Sequence, residues 1–169
     1  MFSRLERAAA LAAVVVLALA AVALAAQPKA GKKYAGTTSA HKLNGFKAAV
    51  TFKVSSTGGR ILKFVYQDQG CFGSGGHLTP GVNYLAKPWN VHAVGAIKIG
   101  KNGKFSVKNV KSKYKVQNQT TVTTTSVSGK FKNGKTAVGT ITFTQKFSLP
   151  GQPGSSCGPA TVTFKATAH

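Results

Sequence analysis

Along most of this chain, apolar and polar side chains alternate with a period of two. From Phe46 to Val54, the residues Phe46, Ala48, Val50, Phe52 and Val54 fall on one side, with Lys47, Ala49, Thr51 and Lys53 on the other. Successive side chains of a strand point to opposite faces, so this segment is predicted to be a half-buried β-strand. The same criterion, with enrichment in Val, Ile, Phe, Tyr and Thr, predicts strands over 60–66, 91–99, 104–110, 113–116, 120–131, 136–147 and 160–166. Tyr34 to Thr38 adds a short edge strand.

The breaks between these runs fit hairpins. Gly58-Gly59, Asn102-Gly103 and Asn133-Gly134 each separate two apolar runs. Asn-Gly favours the positive φ of a tight turn, so consecutive strands are predicted to pair antiparallel. Both Asn-Gly steps sit in Lys-Asn-Gly-Lys, at 101–104 and 132–135, which reads as two similar hairpins. No segment after residue 26 carries a helical stripe. The expected architecture is all-β: a single antiparallel β-sandwich or flattened barrel of about 8–9 strands, preceded by a signal-peptide helix.

That helix comes from the one segment of different character. Arg4 and Arg7 precede Ala8 to Ala26, nineteen residues that are all Ala, Val or Leu. This is the basic head and apolar core of a secretory signal, and Ala23-Leu24-Ala25 offers a cleavage site before Ala26. The competing reading is a retained anchor, since a span needs about 20 apolar residues. The predicted organisation is a signal peptide over 1–25, a basic flexible lead-in over 26–33 and a single β domain over 34–169. The expected location is secreted or envelope-associated, with no transmembrane segment after cleavage.

Charge sharpens this picture. Of 169 residues, 23 are Lys or Arg and 2 are Asp or Glu. Cleavage removes Arg4, Arg7 and Glu6, leaving 21 basic residues, one acid (Asp68) and a net charge of +20. One carboxylate cannot form the acid pair of a glycosidase or an oxygen-rich calcium cage. A field of this sign concentrates polyanions with salt-sensitive, largely sequence-blind affinity. The expected partners are anionic envelope polymers and acidic polysaccharides, with no specific nucleic-acid recognition by an expected monomer. Solubility and protection of sheet edges are the competing account of the lysines.

Cys71 and Cys157 are an even pair in a chain expected to be exported, and are predicted to form a disulfide. The loop-entropy model assigns such a long closure on the order of 2–4 kcal/mol. Between them, the segment 67–90 interrupts the strand rhythm and carries Asp68, His77, Tyr84 and Trp89, the candidate ligand loop. Tyr and Trp rings suit stacking on a sugar or base, and equally suit a core. Asp68, Ser74 and His77 or His92 can be written as a triad, but no G-x-S-x-G elbow accompanies them. His41, His77, His92 and His169 are too scattered for a metal motif. No catalytic, cofactor-binding or metal-binding residue is assigned, and the chain is expected not to be an enzyme.

Threonine adds one further pattern. Thr121, Thr123 and Thr125 share one strand face, as do Thr140, Thr142 and Thr144, and Thr161 and Thr163. Neighbouring strands would join them into one threonine-covered face, either an ordinary wet sheet surface or a flat hydroxyl array. Lys146 and Lys165 would intrude on that array.

The order Tyr34-x-Gly36-x-Thr38, Gly59-Arg60, Cys71, then Val127-x-Gly129-x-Phe131, Ala137-x-Gly139-Thr140 and Cys157-Gly158 resembles small exported β-proteins of unassigned function predicted in high-GC actinobacteria. The resemblance implies the fold and the compartment and no functional residues. This chain departs from that group in its Lys content. Three functions follow in order: a non-enzymatic cationic protein holding anionic polymer, a ligand- or carbohydrate-binding module using the 67–90 loop, and a hydrolase.

Overall fold

The computed structural model describes residues 27–40, 48–67, 91–116, 119–148, 150–151 and 154–169. The signal segment, Cys71 and the candidate ligand residues Asp68, His77, Tyr84 and Trp89 lie outside the described residues, so the expectations resting on them find no structural counterpart here.

Nine strands follow in chain order: β1 Lys33–Thr38, β2 Ala49–Val54, β3 Arg60–Gln67, β4 Val91–Val94, β5 Ile97–Lys98, β6 Lys104–Val116, β7 Gln119–Asn133, β8 Thr136–Ser148 and β9 Ser155–Ala168. Every pairing is antiparallel. They form one sheet in the order β4-β3-β2-β1-β9-β8-β7-β6, with β5 also on β3. A single bridge, Ile99 to Phe105, draws the two ends of that path together. Of the two expected architectures the chain therefore takes the barrel, a nearly closed one.

Three strand expectations change, the first being the run 91–99, which is two short strands, β4 and β5, both paired with β3. β1 is no edge strand: it pairs with both β2 and β9 and so joins the two halves of the chain. The runs 104–110 and 113–116 are one strand, β6, whose register shifts between Val107 and Val110 against β7. Asn109, at φ 56, takes the left-handed conformation at that bulge, and its N–H donates to Ser126 Oγ at 3.0 Å.

The interior divides along the barrel axis. At one end, inward positions of six strands supply aromatic rings. Tyr34 stacks on Phe52 at 4.9 Å and 5°, Phe52 on Phe64 at 5.5 Å, and Phe105 meets Phe131 at 5.5 Å. Such contacts add about 0.5–1.5 kcal/mol per pair beyond area burial. Room for them comes from Gly129 and Gly139, which face each other on β7 and β8. A Cβ on Gly129 would lie 2.6 Å from Phe105 Cζ, and one on Gly139 would lie 2.7 Å from Phe164 Cε1.

Toward the other end the interior becomes polar. Thr121, Thr123, Thr125 and Gln145 are buried, and Tyr66 Oη lies 2.6 Å from Thr125 Oγ1. This corrects the threonine reading. The three odd-numbered threonines of β7 point into the barrel, because they share the phase of the core residues Val127 and Phe131. Thr124, Ser126 and Ser128 face outward instead, opposite Thr144, Thr142 and Thr140 of β8. A hydroxyl face does exist, with a different β7 contribution.

Part of the lead-in hydrogen-bonds to the barrel. Tyr34 Oη donates to Gly134 O at 2.7 Å and accepts from Lys29 N–H at 3.0 Å. Lys29 N–H also reaches Gly134 O at 3.2 Å, and Gly31 N–H donates to Ser55 O at 2.9 Å. Residues 29–32 are thus pinned across the β2–β3 and β7–β8 turns, with a buried tyrosine as the anchor.

Candidate functional site

The Asn-Gly turns set the geometry of the aromatic-filled end. Asn102 Oδ1 accepts Lys104 N–H at 3.1 Å, and Asn133 Oδ1 accepts Lys135 N–H at 3.0 Å. Both Lys-Asn-Gly-Lys strings thus fold back through the same asparagine contact to the residue two ahead. Further hydrogen bonds tie the turns to one another: Ile99 N–H to Gly59 O at 3.0 Å, Phe131 N–H to Gly103 O at 3.1 Å, and Gln27 Nε2 to Lys101 O. The three turns and the lead-in therefore make one continuous rim.

Eighteen Lys and Arg residues are described, and no Asp or Glu. Twelve of the eighteen lie on or beside this rim: Lys29, Lys32, Lys33, Lys53, Arg60, Lys63, Lys98, Lys101, Lys104, Lys130, Lys132 and Lys135. Register makes their crowding sharper. Lys33 is opposite Lys53 and Lys53 is opposite Lys63, a row of three exposed lysines on three adjacent strands. Arg60 is opposite Lys98, and Lys104 is opposite Lys130. Their chain neighbours Tyr34, Phe52, Ile61, Phe64, Ile97, Phe105 and Phe131 are buried, which places these cations on the outer face. Like charges directly opposite destabilise a sheet by roughly 0.2–1 kcal/mol per pair.

Beside this cationic rim the outer face of β6–β9 carries hydroxyls in rows. Ser106, Ser128, Thr140 and Thr163 are successive cross-strand partners. Ser128 Oγ and Thr140 Oγ1 lie 2.9 Å apart, as do Thr142 Oγ1 and Thr161 Oγ1. Between the lysine row and the first hydroxyl row an open groove of about 670 Å³ crosses β6, β7 and β8. The backbone at Phe105, Gly129 and Gly139 forms its floor, since the side chains of that middle row point inward or are absent.

Tyr34, beneath the rim, is a titratable group shifted by its surroundings. Burial raises its phenol above the ordinary value, against the opposing effect of the Lys29 backbone hydrogen bond. Its neutral form is the one that donates to Gly134 O.

Of the residues singled out beforehand, Cys157 lies on β9 opposite Gln145. His92 lies on β4 opposite Tyr66, and His169 is exposed, its N–H donating to Lys33 O at 2.9 Å. Among the described residues no three of His, Cys, Asp and Glu come together. No helix of the described residues is long and apolar enough to cross a membrane. The directly opposed cations and the groove escaped sequence reasoning, because cross-strand register joins residues up to tens of positions apart. The two Lys-Asn-Gly-Lys turns were the one local signal of where the rim would form. Comparison of the chain with protein-family models, with curated proteins and with solved structures finds no match.

Proposed function

We propose that this is an exported, non-enzymatic cationic β-barrel protein that holds anionic polymers of the envelope or extracellular space by charge. The observation that carries the reading is the set of directly opposed cations, Lys33–Lys53–Lys63, Arg60–Lys98 and Lys104–Lys130, with no Asp or Glu among the described residues to relieve them. A charge pattern needed only for solubility would scatter cations, since opposing them across a ladder costs stability. A polyanion laid over the rim supplies the missing counter-charge and releases its own bound counterions. Export follows from the basic head and apolar core before Ala26.

Retention on immobilised heparin and on immobilised teichoic acid, eluted with a salt gradient, tests this reading. Elution above about 150 mM salt is expected, where the Debye length has fallen to about 8 Å. Passage through both columns at 50 mM salt would remove it.

A further inference from the structure

We propose that the groove crossing β6, β7 and β8 is a cleft for a single anionic glycan chain. The proposal rests on the polyanion reading above and names its site and ligand class. One wall is cationic over β5, β6 and β7 and is continued on β8 by Val138, the partner of Lys130: Lys104 and Lys130 stand directly opposite each other, and Lys98 approaches from β5, whose next residue bridges to Phe105. The other wall is a row of hydroxyls, Ser106, Ser128 and Thr140. The two walls are two residues apart on each strand, so they stand about 7 Å apart, and three strands span about 10 Å across them.

Those dimensions admit one extended chain running across the strands, and exclude a duplex. The two walls ask for different groups on that chain. Ammonium groups select sulfate, phosphate or carboxylate, whereas a serine and threonine row donates to and accepts from sugar hydroxyls. A sugar polymer bearing anionic substituents presents both on one strand. Single-stranded nucleic acid fits less well, because base recognition uses exposed aromatic faces. Phe105, the aromatic residue bordering the groove, is 3% exposed, with its ring among those of Phe52, Phe131 and Phe164.

Gly129 and Gly139 shape the floor. Their lack of side chains lets Phe105 and Phe164 press against the inner side of the sheet, so the backbone between the two rows lies low and open on the outer side.

The test is fluorescence anisotropy of the whole protein with a labelled heparin oligosaccharide and, in parallel, labelled inorganic polyphosphate, at 100 mM salt. K104A/K130A is compared with K113A/K146A, which removes the same charge from exposed positions of the same outer face. The groove pair should weaken heparin binding at least tenfold and the distant pair no more than threefold. S106A/S128A/T140V should weaken heparin binding about fivefold and leave polyphosphate binding unchanged. Variants are accepted when their thermal midpoints stay within a few degrees of the parent, and K104Q/K130Q replaces the alanines if they melt early.

Equal losses from the two lysine pairs would overturn the groove while leaving the charge reading standing. Equal effects of the hydroxyl variant on heparin and polyphosphate would overturn the glycan assignment. Failure of the parent protein to bind either polymer at 20 mM salt would overturn the polyanion reading itself.

Discussion

Lys53 stands between Lys33 on β1 and Lys63 on β3, so one substitution there changes two like-charge pairs at once. With ammonium groups about 6 Å apart in water, Coulomb's law gives about 0.7 kcal/mol of repulsion per pair before screening. Screening lowers that to about 0.6 kcal/mol at 10 mM salt, about 0.4 at 0.1 M and about 0.1 at 1 M. Lys53→Glu turns both repulsions into attractions. It should therefore raise unfolding free energy by about 2 kcal/mol at 10 mM salt and by less than about 0.5 at 1 M. Lys53→Gln removes the repulsion alone and should deliver about half. Side-chain entropy reduces the gain from an exposed pair, so these figures are upper bounds.

The assay is urea unfolding followed by far-UV circular dichroism at the two salt concentrations, urea being uncharged. The same Lys53→Glu variant should elute from heparin at lower salt. A gain in stability joined to a loss of polyanion retention would mean that the opposed cations serve binding at the expense of the fold. A destabilised Lys53→Glu protein, or a gain that salt does not diminish, would refute the reasoning.

Four other outcomes are expected. Tyr34→Phe loses a buried hydroxyl that bonds both Gly134 O and Lys29 N–H, and should cost about 1–2 kcal/mol in urea unfolding. Because burial raises the Tyr34 phenol, its contribution is complete below pH 10 and is lost as pH climbs through the raised folded value. The parent should therefore lose stability in alkali more steeply than the phenylalanine variant. Gly139→Ala drives a methyl into the Ser128 carbonyl oxygen and to 2.7 Å from Phe164 Cε1, and should destabilise by about 1–3 kcal/mol in the same assay. Thr123 is buried and its hydroxyl has no hydrogen-bond partner among the described residues, so Thr123→Val should stabilise by about 1 kcal/mol. A loss exceeding about 1 kcal/mol there would reveal a partner for that hydroxyl.

The strands were legible because alternation is a local signal. Val50, Phe52 and Val54 are all buried, with Thr51 and Lys53 exposed between them, as their spacing predicted. The Asn-Gly hairpins were legible for the same reason. A strand's place in the sheet depends on distant partners, which alternation does not encode. Tyr34 to Thr38 looks like an edge strand in isolation and is interior, because its second partner, β9, lies at the far end of the chain.

The β7 threonines show a subtler limit. In T-T-V-T-T-T-S-V-S, runs of Thr and Ser blur the alternation, and only Val127 and Phe131 downstream set which phase faces the core. For the site, composition disclosed the charge and withheld its arrangement. Nothing in the local sequence tells Lys33 that it will stand opposite Lys53, or Lys104 that it will stand opposite Lys130, 26 positions further along the chain.

Amide chemical-shift mapping during titration with a heparin oligosaccharide at 100 mM salt tests the central claim most directly. If the crowded cations hold polyanions, the perturbed amides will cluster at Lys33, Lys53, 98–104 and 130–135, with small shifts at Lys113, Lys115 and Lys146. Shifts spread evenly over all lysine-bearing strands, or no shifts at all, would contradict it.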